Sequence, residues 1–358
     1  MSVRNKSKNK IIIFLVIFSI ISLIPSQTVF SYQITINQQI SETGKNNNSY
    51  NKHNPIYING NSEFTQENGV LSGNGTKKNP YVIEGWDILS KKGKNKNSYG
   101  IQIENTDSYF VIKNCYIHHF NRYISHLVYL FKWTSDWGIR LYNVSNGIID
   151  NCYITGTGHT IRLNNSKNNV ISNCYYDNNG CGIGIFDNSF NNTIKNCNSH
   201  NYVCGICIYY NSYNNTVLNC STYLSFTSLH SRFHFLLNNG LGSGWIGFYI
   251  FEKCSNNKII NCKSYSYEKP FKNRFIKKFY TTTIEGFFLT RNSNNNTIKE
   301  CLAYNLPVGI KVEGSDSSNT IKDCTLTNNY YGIYSKECPN DVYKNNTFID
   351  NKYDKINI

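Results

Sequence analysis

The sequence predicts an all-β fold: a single-stranded parallel β-helix, or solenoid, of about ten coils with an N-terminal cap. The first observation behind this is a recurring motif. Asn191-Asn192-Thr193-Ile194-Lys195-Asn196-Cys197 returns as Asn214-Asn215-Thr216-Val217-Leu218-Asn219-Cys220 and as Asn295-Asn296-Thr297-Ile298-Lys299-Glu300-Cys301. Looser copies end at Cys115, Cys152, Cys174, Cys262 and Cys324, and a ninth ends in Asn346. The second observation is spacing. The eight cysteines lie 37, 22, 23, 23, 42, 39 and 23 residues apart, a short period interrupted by a few long intervals. The third is a companion motif eight residues after the Cys, seen in Gly182-Ile183-Gly184-Ile185, Gly205-Ile206-Cys207-Ile208 and Gly309-Ile310-Lys311-Val312. Its apolar residues alternate with period two, the pattern of strands and not of helices.

Each element of a coil follows from these residues. A unit of 22 or 23 residues has room for three short strands and their corners. Asn tolerates the left-handed backbone that a sharp corner needs, and in a stack it meets the equivalent Asn of the next coil. The residue after a corner Asn can turn inward, so the Cys series is expected to form a buried ladder at ~4.8 Å spacing. Disulfides and soft-metal binding are the other readings of that ladder. A leucine-rich repeat has a similar period but needs a Leu-rich consensus, which is absent.

The ends are different in kind. Arg4, Lys6, Lys8 and Lys10 precede the apolar run Ile11 to Ile24, and Pro25 closes it, so residues 1–31 read as a secretory signal peptide. The run is shorter than the ~20 residues of a spanning helix. An uncleaved anchor is the competing reading, and no later stretch is suited to span a membrane. Residues 32–54 are polar and Asn-rich and are expected to form a flexible linker. Residues 55–98 are expected to supply the cap and the first coil, and 99–358 the β-helix. The chain carries 36 Lys+Arg against 22 Asp+Glu. Both signs are interspersed, which allows a polyanionic partner but lacks the dense basic stripe of a nucleic-acid binder.

The combined pattern, Gly-Ile-x-Ile followed by Asn-Asn-x-Ile-x-Asn-Cys, resembles the right-handed parallel β-helix repeats of the pectate-lyase-like superfamily. Pro55-Ile56-Tyr57-Ile58, Gly73-Asn74-Gly75-Thr76 and Asn79-Pro80-Tyr81-Val82-Ile83-Glu84-Gly85-Trp86-Asp87-Ile88 resemble the opening of NosD-like β-helix proteins, common among exported proteins. The likeness runs over about residues 55 to 350. It implies a right-handed coil and an extracytoplasmic location. For activity it implies little, because such folds host lyases, hydrolases, epimerases, adhesins and carriers.

Function is expected where the period is interrupted. Cys115 to Gly138, Cys220 to Gly247 and Cys262 to Gly286 span 23, 27 and 24 residues in place of eight. Insertions at 116–137, 221–246 and 263–285 therefore leave from one corner, and long loops on one side of a rigid scaffold are a usual place for binding. They are rich in His, Arg and aromatic residues, among them His118, His119, Trp133, Trp137, His230, Phe233, Trp245, Tyr267, Arg274 and Phe279. Beside them, alternation places Gln102, Arg140, Arg162, Gly184, Cys207, Tyr249, Phe288, Lys311 and Tyr334 in one outward column. Glu104, Tyr142, Asn164, Phe186, Tyr209, Phe251, Thr290, Glu313 and Lys336 form the next.

Both columns are expected to be exposed, and Arg140, Tyr142, Arg162, Phe186, Tyr209, Tyr249, Phe251 and Phe288 are the candidate ligand-binding residues. Aromatic faces stack on sugar rings, and Arg pairs with carboxylates or sulfates. The expected partner is a polysaccharide or other glycan, acidic in character, bound without catalysis. No catalytic residue is assigned, since the only acids in these columns, Glu104 and Glu313, lie about eight coils apart. A lyase or hydrolase is the alternative, with Ca²⁺ as the cofactor a lyase would need. A third reading is metal handling. His159, Cys181 and Cys204 stack on consecutive coils with Cys207 nearby, a donor set for Cu(I) or Zn²⁺, and the NosD likeness implies copper. A Cys181–Cys204 disulfide is the competing reading of that stack.

Overall fold

Left-handed Asn at the corners and inward-facing residues on three short strands wind this chain into coils. The computed structural model describes residues 50–92, 98–119, 136–224, 245–267, 284–314 and 318–358. The expected signal peptide, most of the expected linker and the bodies of the three insertions lie outside the described residues.

One coil illustrates the rest. Strand Tyr175–Phe186 carries the Gly motif, Thr193–Lys195 carries the Asn-Asn-Thr-Ile motif, and Asn198–Tyr209 begins after the Cys. The corners between them are turned by Asp187 and Asn188, by Asn191 and by Asn196, with φ of 54°, 56°, 54° and 54°. Asn and Asp tolerate this left-handed region better than most residues because their short side chains bond locally. Stacked coils place equivalent strands in parallel register, so the solenoid has three faces. A sheet of eleven strands forms the Thr face; all but Val70–Ser72 run parallel in it, from Tyr81–Glu84 to Val342–Lys344. The Gly face and the face following the Cys, here the Tyr face, belong to one 20-stranded sheet, linked where Tyr175–Phe186 and Asn198–Tyr209 run through the corner.

The core runs along the inside of the coils. Ile101, Ile139, Ile161, Ile183 and Ile206 follow one another in the Gly face, and Ile112, Ile149, Ile171, Ile194 and Val217 in the Thr face, all buried. Each such side chain contributes roughly 1.5–3 kcal/mol. Volume is balanced across the interior. Where the Gly face brings in the stacked rings of Phe248 and Phe287, 4.8 Å apart, the Tyr face supplies the small Thr222, Ser264 and Ala303.

Two Asn series hold the corners. The first is buried. Asn192 Nδ2 donates to Asn215 Oδ1 at 3.1 Å, Asn215 Nδ2 to Asn257 Oδ1 at 3.1 Å and Asn257 Nδ2 to Asn296 Oδ1 at 3.0 Å. The second is exposed and left-handed, with Asn196, Asn219 and Asn261 each donating to its equivalent one coil earlier. Next to it runs the Cys ladder, buried as expected. The backbone N–H groups of Cys197, Cys220 and Cys262 point to the sulfur of the following rung at 3.4, 3.5 and 3.4 Å. Asn346 ends the ladder, its Oδ1 accepting from Cys324 N at 3.0 Å. Burial pushes the Cys262 and Cys301 thiols well up. They are packing groups and not nucleophiles.

Glycine recurs in the Gly face because neighbouring coils approach too closely for a side chain. A Cβ on Gly247 would lie 2.2 Å from Ser264 Oγ, 2.5 Å from Thr222 Oγ1 and 2.6 Å from the Gly286 carbonyl oxygen. Gly247→Ala is therefore expected to lower stability by about 2 kcal/mol. The urea midpoint reads this directly, and an unchanged midpoint would contradict the packing described.

The first coils depart from expectation in one respect. Residues 51–53, expected at the end of a linker, form strand Asn51–His53 in parallel register with Trp86, Asp87 and Ile88. Backbone pairing overrides composition there. Ile56–Asn59 is in register with Ile101–Glu104 and so is already a rung of the Gly face. The short 3₁₀ turns Asn61–Glu63 and Gln66–Asn68 lead from it into the antiparallel return Val70–Ser72. The flanks of the three insertions agree with one corner: each follows a Tyr-face strand (Tyr116–His119, Ser221–Leu224 or Lys263–Tyr265) and precedes a Gly-face strand.

Candidate functional site

On the outside of the Gly face, period-two alternation and parallel register line up the two expected columns. Gln102, Arg140, Arg162, Gly184, Cys207, Tyr249, Phe288, Lys311 and Tyr334 are consecutive partners. Glu104, Tyr142, Asn164 and Phe186 form the beginning of the next column, and Tyr209, Phe251, Thr290, Glu313 and Lys336 its continuation.

Their exposure differs from expectation. Gln102 is 0% exposed, Cys207 2% and Lys311 9%, and Asn164, Phe186, Tyr249 and Thr290 are also buried. Arg140, Arg162, Tyr209, Phe251 and Phe288 are half-buried, while Tyr142 is 41% exposed. The columns are outward without being bare. At the spacing of successive coils, large side chains pack on one another and cover their own backbone.

That packing makes a continuous aromatic surface. Phe186 stacks on Tyr209 at 4.8 Å, Tyr209 meets Tyr249 and Phe251 edge-on at 5.4 and 5.5 Å, and Tyr249 stacks on Phe288 at 5.1 Å. Cations lie over these rings: Arg162 over Phe186 at 4.1 Å, Arg291 over Phe251 at 4.7 Å and Lys311 over Phe288 at 4.5 Å. Arg140 sits apart from that run, between Trp137 and Tyr142.

The cations are not equivalent. Arg140 is 3.4 Å from Glu104, whose carboxylate also accepts from Gln102 and Tyr57. Lys311 lies 3.5 Å from Glu285 and 3.0 Å from Glu313, and Lys336 also reaches Glu313. Arg162 has no carboxylate within ion-pair distance among the described residues. Its Nε donates to Asn164 Oδ1 at 2.9 Å, and Asn164 in turn donates to Asp187. Burial lowers its affinity for its proton, with Asp187 acting in the opposite sense. A half-buried guanidinium in this setting is suited to an external anion.

Glu285 escaped the sequence reading. It stands in the column immediately before the Gly residues, the one that holds His159, Cys181, Cys204 and Ile246. Following that column further along the chain reaches it. Burial raises its carboxyl to about 7 against the opposing pull of Lys311.

The donor set His159, Cys181, Cys204 and Cys207 is corrected by the structure. The stack exists, with His159 beside Cys181 and Cys181 beside Cys204. Cys204 and Cys207, however, form a disulfide, in place of the Cys181–Cys204 bridge considered above. That leaves two donors, and burial holds His159 neutral with its pKa lowered to about 3. No group of three or more His, Cys, Asp or Glu in a metal-holding arrangement occurs among the described residues. The copper implied by the resemblance does not fit this set.

The Tyr face carries two short aromatic stacks, in different columns, that were not anticipated. Tyr116, Tyr153 and Tyr175 follow one another at 5.4 Å, and Tyr223, Tyr265 and Tyr304 at 5.7 and 5.0 Å. All six are half-exposed. The signal was present in the sequence as Tyr at one or three residues after successive Cys. Beside the first stack, His118 Nε2 lies 2.8 Å from Asp87, and Ser90 donates to Asp136 at 2.9 Å. Trp137, Trp245 and Tyr267 are also placed among the described residues, whereas Trp133, His230, Phe233, Arg274 and Phe279 of the insertions lie outside them.

The fold and this face define a class, a right-handed parallel β-helix protein. Residues 68–222 match the family described as "Right handed beta helix region". Residues 271–358 match the family described as "Periplasmic copper-binding protein (NosD)", a likeness to the same family as the resemblance read from residues 55–88 but carried by the last coils. No curated protein matches the sequence. Among solved structures, an alginate lyase from Paenibacillus sp. str. FPU-7 is 10% identical, with a TM-score of 0.48 over 83% of this chain and 97% of that one. The A-module of an Azotobacter vinelandii mannuronan C-5 epimerase is 11% identical, with a TM-score of 0.49 over 86% and 85%. A Streptococcus pneumoniae surface protein and adhesin is 12% identical, with a TM-score of 0.47 over 77% and 88%. Among the described residues, no helix is long and apolar enough to cross a membrane.

Proposed function

We propose that this protein is exported and binds extracellular or cell-surface polysaccharide, acidic in character, through the Gly face and without catalysis. The observation that carries this reading is Arg162. Its half-buried guanidinium, held over Phe186 with no carboxylate partner among the described residues, borders the aromatic run from Phe186 to Phe288. Sugar rings stack on the accessible parts of Tyr209 and Phe251 while a uronate carboxylate or a sulfate pairs with Arg162. Retention on immobilised polyuronate tests it. Phe251→Ala and Tyr209→Ala are each expected to weaken retention about tenfold, the loss of one stacking contact. Arg162→Lys keeps the charge but loses the planar fork, and is expected to weaken binding to acidic but not to neutral polysaccharides. Unchanged retention of all three variants, with melting unaltered, overturns the proposal.

One observation supports the alternative of a lyase or hydrolase. Glu285, with its carboxyl raised to about 7 and Lys311 at 3.5 Å, has the character of a proton-transfer group. Incubation with a polyuronate panel separates the readings. Binding without catalysis predicts neither unsaturated products nor new reducing ends, with or without Ca²⁺. Products that disappear in Glu285→Gln would establish the enzyme.

A further inference from the structure

Three cysteines share the outer side of the Gly face. Cys204 and Cys207 are joined by a disulfide, with their Cα atoms 6.7 Å apart. Cys181 is the direct register partner of Cys204 on the preceding coil. Parallel neighbours lie ~4.8 Å apart, well inside the ~4.4–6.8 Å over which disulfides form. Cys181 packs against the cluster that contains Cys204, Cys207, Ile246 and Tyr249. It is also partly exposed, whereas Cys204 and Cys207 are buried. This patch is unlike the inward Cys ladder, whose eight members are all free thiols.

We propose that Cys181, Cys204 and Cys207 form an intramolecular thiol–disulfide exchange site in which Cys204 is the shared sulfur. The Cys181 thiolate attacks Cys204 Sγ. The Cys204–Cys207 bond breaks, the Cys181–Cys204 bond forms, and Cys207 leaves as a thiolate that takes up the proton Cys181 gave up. One disulfide and one thiol are present before and after, so the step needs neither oxidant nor reductant. The two isomers staple different things. Cys204–Cys207 closes a loop within one strand, around Gly205 and Ile206, whereas Cys181–Cys204 joins two coils. Cys207 is the register partner of Tyr249, so exchange frees a thiol directly beside the aromatic run. Burial pushes the Cys181 thiol up to about 11 while the neighbouring Arg162 opposes the shift, so attack is slow at neutral pH and faster in mild alkali.

The full chain, purified without reductant, tests this by alkylation with iodoacetamide at pH 8.5 and non-reducing peptide mapping by tandem mass spectrometry. Both Cys181 and Cys207 are expected to be alkylated, Cys204 never, and both the Cys204–Cys207 and Cys181–Cys204 bridges are expected in the same sample. In Cys181→Ser, labelling of Cys207 is expected to fall to background. Cys207→Ser is expected to form the Cys181–Cys204 bridge during aerobic purification. A single Cys204–Cys207 bridge with alkylation confined to Cys181 overturns the proposal. So does alkylation of all three residues, or a Cys207→Ser protein in which Cys181 and Cys204 stay reduced.

Discussion

Asn215→Ala is expected to destabilise the β-helix by about 4 kcal/mol, far more than removing an exposed Asn a few residues away. Asn215 Oδ1 accepts from the backbone N–H of Asn192 at 2.9 Å and from Asn192 Nδ2 at 3.1 Å. Its Nδ2 donates to the Ser189 carbonyl at 3.0 Å and to Asn257 Oδ1 at 3.1 Å. Alanine removes all four bonds and leaves the buried Asn192 N–H without an acceptor. An unsatisfied buried group costs ~1–3 kcal/mol, and the three other lost bonds add roughly 1 kcal/mol each at most. Asp is expected to be no better, since its carboxylate cannot donate to Ser189 and would face the acceptor oxygen of Asn257. Asn219 provides the control. It is exposed, at φ 53°, and its side chain bonds to its neighbours in the outer series, Asn196 and Asn261. Asn219→Ala is expected to cost about 1 kcal/mol, chiefly for the left-handed backbone. Denaturant unfolding measures both, and equal costs would contradict the distinction between a buried and an exposed series.

Lys311→Met is expected to cost about 2 kcal/mol more at pH 8 than at pH 5, because that part of the penalty depends on the charge of Glu285. Lys311 joins Glu285 at 3.5 Å to Glu313 at 3.0 Å. In the folded protein the Glu285 carboxyl is raised to about 7 from 4.5. The folded state then holds its proton more tightly than the unfolded chain, so this group's contribution makes stability fall as pH rises from about 4.5 to 7. Removing Lys311 takes away the opposing charge and steepens that fall. Glu285→Gln abolishes the slope, and the double variant Glu285→Gln, Lys311→Met is expected to lose the pH-dependent penalty. His159 titrates in the opposite sense. Its pKa is lowered to about 3, so its contribution is lost as pH falls below about 6.5. Comparing each variant with the parent at the same pH cancels that term. A Lys311→Met penalty that is equal at pH 5 and pH 8 would show that packing, and not charge, is what the lysine supplies.

Much of the fold was legible because a solenoid is nearly one-dimensional. The Cys period, the Gly motif and the Asn corners report the coil, its length and its inward residues through local sequence alone. Register follows, since coils of one length stack like on like. Hence spacing alone places Arg140, Arg162, Tyr249 and Phe288 in one column.

What the sequence by itself determined, then, is the winding, the ladder of buried cysteines and the order of residues along each outward column. Only the tertiary structure decided what those outward residues do. Alternation separates inside from outside but does not say how far large side chains cover one another, so Gln102, Tyr249 and Lys311 proved buried on an outward face. It also ranks residues within a column but not across columns. The Glu285–Lys311–Glu313 group and the Cys204–Cys207 bridge join neighbouring columns, and their partners are chosen by side-chain direction and reach. The Tyr face went unnoticed for a related reason: its tyrosines follow the Cys at two offsets, and coil stacking gathers them into two short stacks in different columns, Tyr116 to Tyr175 and Tyr223 to Tyr304.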